Sequence, residues 1–256
     1  MLKIAIRTIV PAVVFLLAAS PTLFAQEKGF NHGDALLIHF YYSGHVPAGD
    51  MADRFGGSFM PGAGIDYQTD RGNLILGAEF GYLFGGTVKE DVLTHIRTPE
   101  GYIIGEQGGY SDIQLRERGI YLGGHVGKLF PVSEKNHRSG IRITLGAGVL
   151  QHKIRVQDDP SQKAPQLADD YKKGYDRLSN GLALRQFIGY QHLGNEGRIN
   201  FYAGLDLAQG FTQNRRSYNF DTFAQDTAKR TDLLIGIRIG WTLPFYIGRD
   251  PSDIYY

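Results

Sequence analysis

The stretch that decides the fold is TDLLIGIRIGWTLPFYIG, residues 231–248. Leu233, Ile235, Ile237, Ile239, Trp241 and Leu243 stand on every second position, and Leu234, Gly236, Arg238, Gly240 and Thr242 fill the gaps. A period of two is a strand and not a helix. In a soluble sandwich the second face of such a strand meets water and carries Lys, Glu, Thr and Ser. Glycine is a poor choice there, because it weakens a strand interior. It suits the crowded inside of a narrow closed barrel. The large apolar side chains then point outward, and an apolar exterior calls for hydrocarbon.

Seven further segments repeat the pattern, at 35–44, 58–68, 74–85, 119–130, 140–152, 181–193 and 198–209. Each is near the ~9–11 residues that a tilted strand needs to cross a bilayer. The connections 69–73, 131–139 and 194–197 are short and rich in turn residues, and they alternate with long ones at 46–57, 86–118, 153–180 and 210–231. An up-and-down barrel with both termini at one end produces that alternation, whereas Greek-key links do not. The expected fold is all-β: a closed eight-stranded antiparallel transmembrane barrel over residues 35–246, with short periplasmic turns and long extracellular loops.

The second faces of these strands collect Asp66, Glu79 and Asp206 against Arg142, Arg185 and Arg238, with His39 and His125 beside them. Enclosed charges must be paired, and eight strands leave an interior that side chains fill. The expectation is therefore a plugged, salt-bridged lumen. The segment 181–193 alternates less cleanly, since Gln186 falls on the apolar side and Phe187 on the other. Tyr41, Tyr42, Phe84, Phe130, Tyr190, Trp241, Phe245 and Tyr246 gather near segment ends, as interfacial girdles do.

The remaining chain excludes several classes. A formal net charge of +1 gives no reason to expect a nucleic-acid partner. With no cysteine there is no disulfide framework, thiolate metal site or Cys nucleophile. Residues 1–25 read as a signal peptide: Lys3 and Arg7 precede an apolar run over 9–19, and Ala25 offers a small residue before Gln26. Residues 26–34 then form a short periplasmic lead-in and 247–256 a short periplasmic tail.

On these residues the chain resembles the eight-stranded outer-membrane β-barrel superfamily, its OmpA-like and PorT-like members. Such barrels carry an assembly signal on the last strand, and Arg238, Gly240, Leu243 and Phe245 match its spacing. The resemblance implies recognition of these four by the barrel-assembly machinery. Two departures stand out: residues follow the signal, and Pro244 interrupts the strand. The resemblance also implies an outer-membrane location among lipid and lipopolysaccharide, and it leaves open membership of a larger secretion or uptake complex. A belt apolar all round favours a free-standing barrel; a belt interrupted on adjacent strands favours the complex.

The loops offer weaker signals. Thr98-Pro99-Glu100-Gly101 is a turn, from which strands are expected to continue as a hairpin. Leu167, Tyr171, Tyr175 and Leu178 recur at helical spacing after Pro165, which suits a short helix over the barrel mouth. Arg215 and Arg216 beside Tyr218, Phe220 and Phe223 suit a phosphate or a sugar ring. Asp158, Asp159, Asp169 and Asp170 lack the spacing of a calcium loop, so no metal is expected. Ser58, Glu79, His39 and His125 are the candidates for catalysis, but no nucleophile motif or HExxH occurs, and His45 and His95 fall in or near loops. The expected role is non-enzymatic and cofactor-free, in loop-mediated binding or envelope integrity; a lipid-modifying enzyme is the further alternative.

Overall fold

The structure, a computed structural model, describes residues 33–247 except 158, 160 and 195–198. The leader assigned to 1–25, nearly all of the lead-in and tail, Asp158 and most of the 194–197 turn lie outside the described residues. Eight strands close into one ring: β1 (Asp34–Gly49), β2 (Ser58–Gln68), β3 (Leu74–Gly85), β6 (Gln114–Pro131), β7 (Gly140–Gln157), β8 (Ser179–Leu193), β9 (Asn200–Asn214) and β10 (Lys229–Ile247), which pairs back onto β1. Every pairing in the ring is antiparallel. A five-residue helix, α1 (Asp50–Arg54), follows β1, and β4 (Ile103–Ile104) and β5 (Tyr110–Ser111) form a separate hairpin within the β3–β6 loop.

The register gives the tilt. Following partners round the ring from Leu36 leads through Tyr67, Leu76, Val126, Leu145, Gln186, Leu207 and Ile235, and returns to β1 at Val46, ten residues on. At ~3.3 Å per residue and ~4.8 Å between strands, that stagger tilts the strands by about 40°.

The greasy faces look out. Ile237 and Leu205 are 60% and 62% exposed, while Arg142 and Arg238 are each 3% exposed. Outward apolar residues continue round the ring, from Phe40 on β1 through Ile65, Leu76, Leu122, Val149 and Ile188 to Ile235. Gln186 and Gln209, on adjacent β8 and β9, interrupt this belt with two partly exposed amides.

The inward glycines make room for rings. A Cβ at Gly240 would lie 2.3 Å from the Tyr202 ring, and one at Gly236 would lie 2.8 Å from the His45 ring and 1.9 Å from a β1 carbonyl. Gly64 leaves the same space for His39, and Gly77 for Asp66 and His125. Bulky polar side chains fit inside eight strands because the opposing positions carry none.

Beyond the belt the polarity inverts. On β7 the outward row runs Ile141, Ile143, Leu145, Ala147, Val149 and then Gln151, Lys153, Arg155; the inward row runs Arg142, Thr144 and then Leu150, His152, Ile154, Val156. This explains why the strands outrun the expected segments. The ladder continues to Gln157 on β7 and Asn214 on β9 after the apolar-out pattern has ended. The apolar interior of this upper part is closed by the loops: Met51 and Phe55 from the first, Val92, Leu93 and Ile103 from the second, Ala164 and Leu167 from the third, all buried in one core.

Three local expectations are corrected. Pro244 does not break β10; it pairs opposite Leu37, past Trp241, the last β10 residue paired with β9, so no β9 ladder bond is lost. The Thr98–Gly101 turn forms, with Gly101 N–H donating to the Thr98 carbonyl at 2.8 Å, but the hairpin follows it rather than flanking it. The helix over 165–178 is two 3₁₀ pieces, Pro165–Leu167 and Asp169–Gly174, because Leu167 and Tyr175 turn into the core while Tyr171 turns out.

Replacing Gly240 by Leu is expected to destabilise the barrel by about 3 kcal/mol or more, read as a lower urea midpoint for the compact, unboiled gel band. The outward Ile239→Leu should leave that midpoint nearly unchanged.

Candidate functional site

The interior is a column of paired charges. Nearest the short turns, Asp66 accepts from Arg142 Nη2 at 2.7 Å and meets His125 Nε2 at 2.8 Å and His39 Nδ1 at 3.3 Å. Arg142 also donates to Gln191, which donates to Gln68. Below them Arg138, from the β6–β7 turn, donates to the carbonyls of Thr69 and Gly33 and to Asp70, tying the floor together.

One layer up, Glu79 accepts from Arg185 at 3.2 Å and Arg238 at 2.9 Å, and Asp206 accepts from both arginines at 2.6 Å. Two carboxylates meet two guanidiniums, so this layer carries no formal excess charge. The Arg185 and Arg238 guanidiniums lie 5.1 and 4.7 Å from the Tyr41 ring centroid, and Arg238 also covers Phe187, the residue whose inward phase breaks the β8 alternation. Side chains of β1, β3, β8, β9 and β10 thus meet across the interior at this level.

Several groups were not expected here. His45 is no loop residue; it lies on β1, buried, with Nε2 3.0 Å from Asp206. Higher still, His152 Nε2 sits 2.8 Å from Asp232, which also accepts from Thr212, and Ser58 donates to Glu117. His152 and Asp232 keep the inward phase of β7 and β10, so extending the alternation past the belt would have found them. Ser58 is engaged by a carboxylate rather than by a histidine, and all of these groups are buried under the cap. Among the described residues no cluster of His, Cys, Asp or Glu has the makings of a metal site.

The cap is pinned by crossed ion pairs. Arg54 of α1 donates to Glu90 at 2.8 Å, and Arg177 reaches both Glu90 and Asp221. Arg216 grips Asp176 with two nitrogens. All four external loops are therefore joined. Its hydrogen bond to Asp176 raises the Arg216 guanidinium above its ordinary value. Burial pushes the Asp226 carboxyl up, but hydrogen bonds from Arg230 and the Ala228 N–H outweigh it and hold the group low. Arg215 donates to Asn180. The two loop arginines expected to contact ligand thus fasten the loops, while Tyr218 stays exposed.

On this base sits a continuous set of rings. Phe220 contacts Tyr171, Tyr175 and Tyr218 at 5.5–6.1 Å between centroids, and His95 links Tyr175 to Phe223. Phe220 seats against Gly174, where a Cβ would come within 2.2 Å of its ring. Tyr171 is 62% and Phe223 69% exposed, and Phe223 holds a φ of 53°, a costly conformation for a bulky residue. His95, placed in or near a loop by the sequence, belongs to this set. Tyr102 and Tyr110 stack at 4.7 Å on the β4–β5 hairpin and are also exposed.

Eight antiparallel strands, closure, an apolar exterior and paired charges inside decide the architecture. The fold is that of the eight-stranded outer-membrane barrels. No protein-family model matches the chain, and no curated protein sequence matches it. Among solved structures the chain is similar to Neisserial surface protein A (NspA), at 9% identity and TM-score 0.40 over 82% of this chain and 99% of that one. It is also similar to Ail, the attachment invasion locus protein of Yersinia pestis, at 12% identity and TM-score 0.39 over the same shares. Ail in complex with the heparin analogue sucrose octasulfate aligns at 12% identity and TM-score 0.35, again over 82% and 99%. The assignment of the barrel fold rests on the strand register and the two faces, not on these alignments.

Replacing Glu79 by Leu leaves two buried guanidiniums sharing Asp206 and is expected to cost about 3–5 kcal/mol of barrel stability. Adding Arg238→Leu should recover part of that loss, which a double-mutant cycle in urea measures.

Proposed function

We propose that the protein is an exported, non-enzymatic outer-membrane barrel with a closed lumen, whose extracellular cap binds glycan through exposed aromatic rings. The short turns and both strand termini then face the periplasm and the cap faces outward. Export draws on residues 1–25. Arg238 and Gly240 face the lumen while Leu243 and Phe245 face out, so the strand read by the assembly machinery would present one polar and one apolar edge.

The observation that carries the binding role is the exposed, contiguous ring set around Phe220. A soluble surface seldom shows such a patch without a use for it. Flat apolar faces with phenolic hydroxyls at their edges match a sugar ring, which is apolar on its faces and polar at its rim. The ion pairs beneath hold the rings in place, so little ordering remains to be done on binding.

The triple variant Tyr171→Ala, Tyr218→Ala, Phe223→Ala is expected to weaken binding roughly tenfold or more on a glycan array. Failure of the folded wild-type protein to retain any glycan, or equal retention by the variant, would sink the reading. In planar bilayers the reconstituted protein should pass no steady current; sustained channels would reject the closed lumen.

A second reading, a subunit of a larger outer-membrane complex, draws on Gln186 and Gln209. Lipid tails offer an amide no partner, and a neighbouring protein does. A photo-crosslinking group at Leu184, which pairs opposite Gln209, separates the two: protein adducts favour the complex and lipid adducts alone discard it.

A further inference from the structure

The register of β6 and β7 sets like charges face to face. Arg118 stands opposite Lys153, and Arg116 opposite Arg155. All four alternate with buried or half-buried neighbours that face inward, and so lie on the outer surface. Directly opposed like charges on one sheet face repel. Arg116 donates to the amide oxygens of Gln157 at 3.1 Å and Gln114 at 2.6 Å, and Arg118 to the backbone carbonyl of Glu117. The Glu117 carboxylate points the other way, onto Ser58. Of the outer acids, Asp159 accepts from the Ser161 and Asp112 N–H groups. Among the described residues, none of the four cations has a carboxylate partner.

The patch also has a defined depth. The next outward residue after Arg118 is Ile120, followed by Leu122; on β7, Gln151 separates Lys153 from Val149. Ile120, Leu122 and Val149 belong to the exposed apolar belt. Two guanidinium–cation pairs therefore stand where the belt ends, on the side of the long loops.

We propose that this two-by-two patch binds the phosphate groups of a membrane lipid headgroup, a glycolipid carrying phosphate monoesters in the outer leaflet. The inference rests on the membrane reading above. Cross-strand neighbours lie about 5 Å apart and diagonal ones about 7–8 Å, so one or two phosphates touch several cations together. Arginine supplies forked donors to phosphate oxygens and lysine a point charge. The belt just beneath takes the acyl chains of the same lipid, which selects a headgroup over free phosphate.

The test uses the folded barrel in neutral detergent, with lipid A, phosphatidylcholine or inorganic phosphate added, and reads the urea midpoint of the compact gel band. Lipid A should raise the wild-type midpoint, and the other two should not. The double variant Arg118→Gln, Lys153→Gln should bind lipid A roughly tenfold or more weakly. Arg118→Glu should instead pair with Lys153, raising the midpoint without lipid and abolishing the response to it. No lipid A response in wild type, an equal response in the variants, or the same shift with inorganic phosphate overturns the proposal. Failure of the membrane reading looks different: the protein then stays folded and soluble with no detergent at all.

Discussion

A charge enclosed in a cylinder with an apolar jacket has no water to turn to, so it must find its partner inside. The pairing of Glu79 and Asp206 with Arg185 and Arg238 meets that requirement with two of each sign. Much else follows from it. Four long polar side chains at one level of an eight-stranded ring need volume, and glycine opposite them supplies it. With guanidiniums, carboxylates and tyrosine rings at this level of the lumen, most large apolar residues of the strands have only the exterior left. The chemistry of the inside therefore sets the chemistry of the outside.

The reverse holds above the belt, and the changeover explains what the sequence did and did not show. Where the exterior meets water, the same strands turn their polar side chains out and their apolar ones in. On β7 the switch falls between Val149, exposed, and Leu150, buried. The alternation itself never stops; only its sense changes. A reading keyed to apolar-out segments follows the inward row only where the outward row is greasy, so it overlooks His152 and Asp232 at the ends of their segments and stops at Gly119, short of Glu117. It likewise left His45 in or near a loop, although His45 follows Ser43 and Tyr41 in an unbroken inward row. The belt, the closure and the lower charge column were legible because period and phase agree there.

The cap was the least legible part, for a physical reason. Its order comes from contacts between loops far apart in the chain, such as Arg177 with Asp221 and Arg54 with Glu90. No local pattern announces them. The helical spacing of Leu167, Tyr171, Tyr175 and Leu178 was real, but burial of Leu167 and Tyr175 in the common core set the backbone instead, in two tighter 3₁₀ pieces. Arg215 and Arg216 suited a ligand in the sequence because their partners, Asn180 at the start of β8 and Asp176 in the loop before it, are far off in the chain.

Pinned loops bear on what the cap is for. Loops that served only to connect strands would need neither an apolar core of their own nor crossed ion pairs, and their exposed aromatic rings would be a liability. Here the buried half of the ring set is fixed: Phe220 is seated against Gly174, and Tyr175 is packed into the core. The exposed half is held out by that base, to the point that Phe223 keeps an unfavourable backbone conformation. Strain of this kind persists only where the surroundings over-determine it. Stability alone would favour relaxing Phe223 and covering Tyr171. On the binding role proposed above, a surface that resists both is one to be met from outside, and a flat, partly polar platform is suited to a ligand with flat faces and a polar rim.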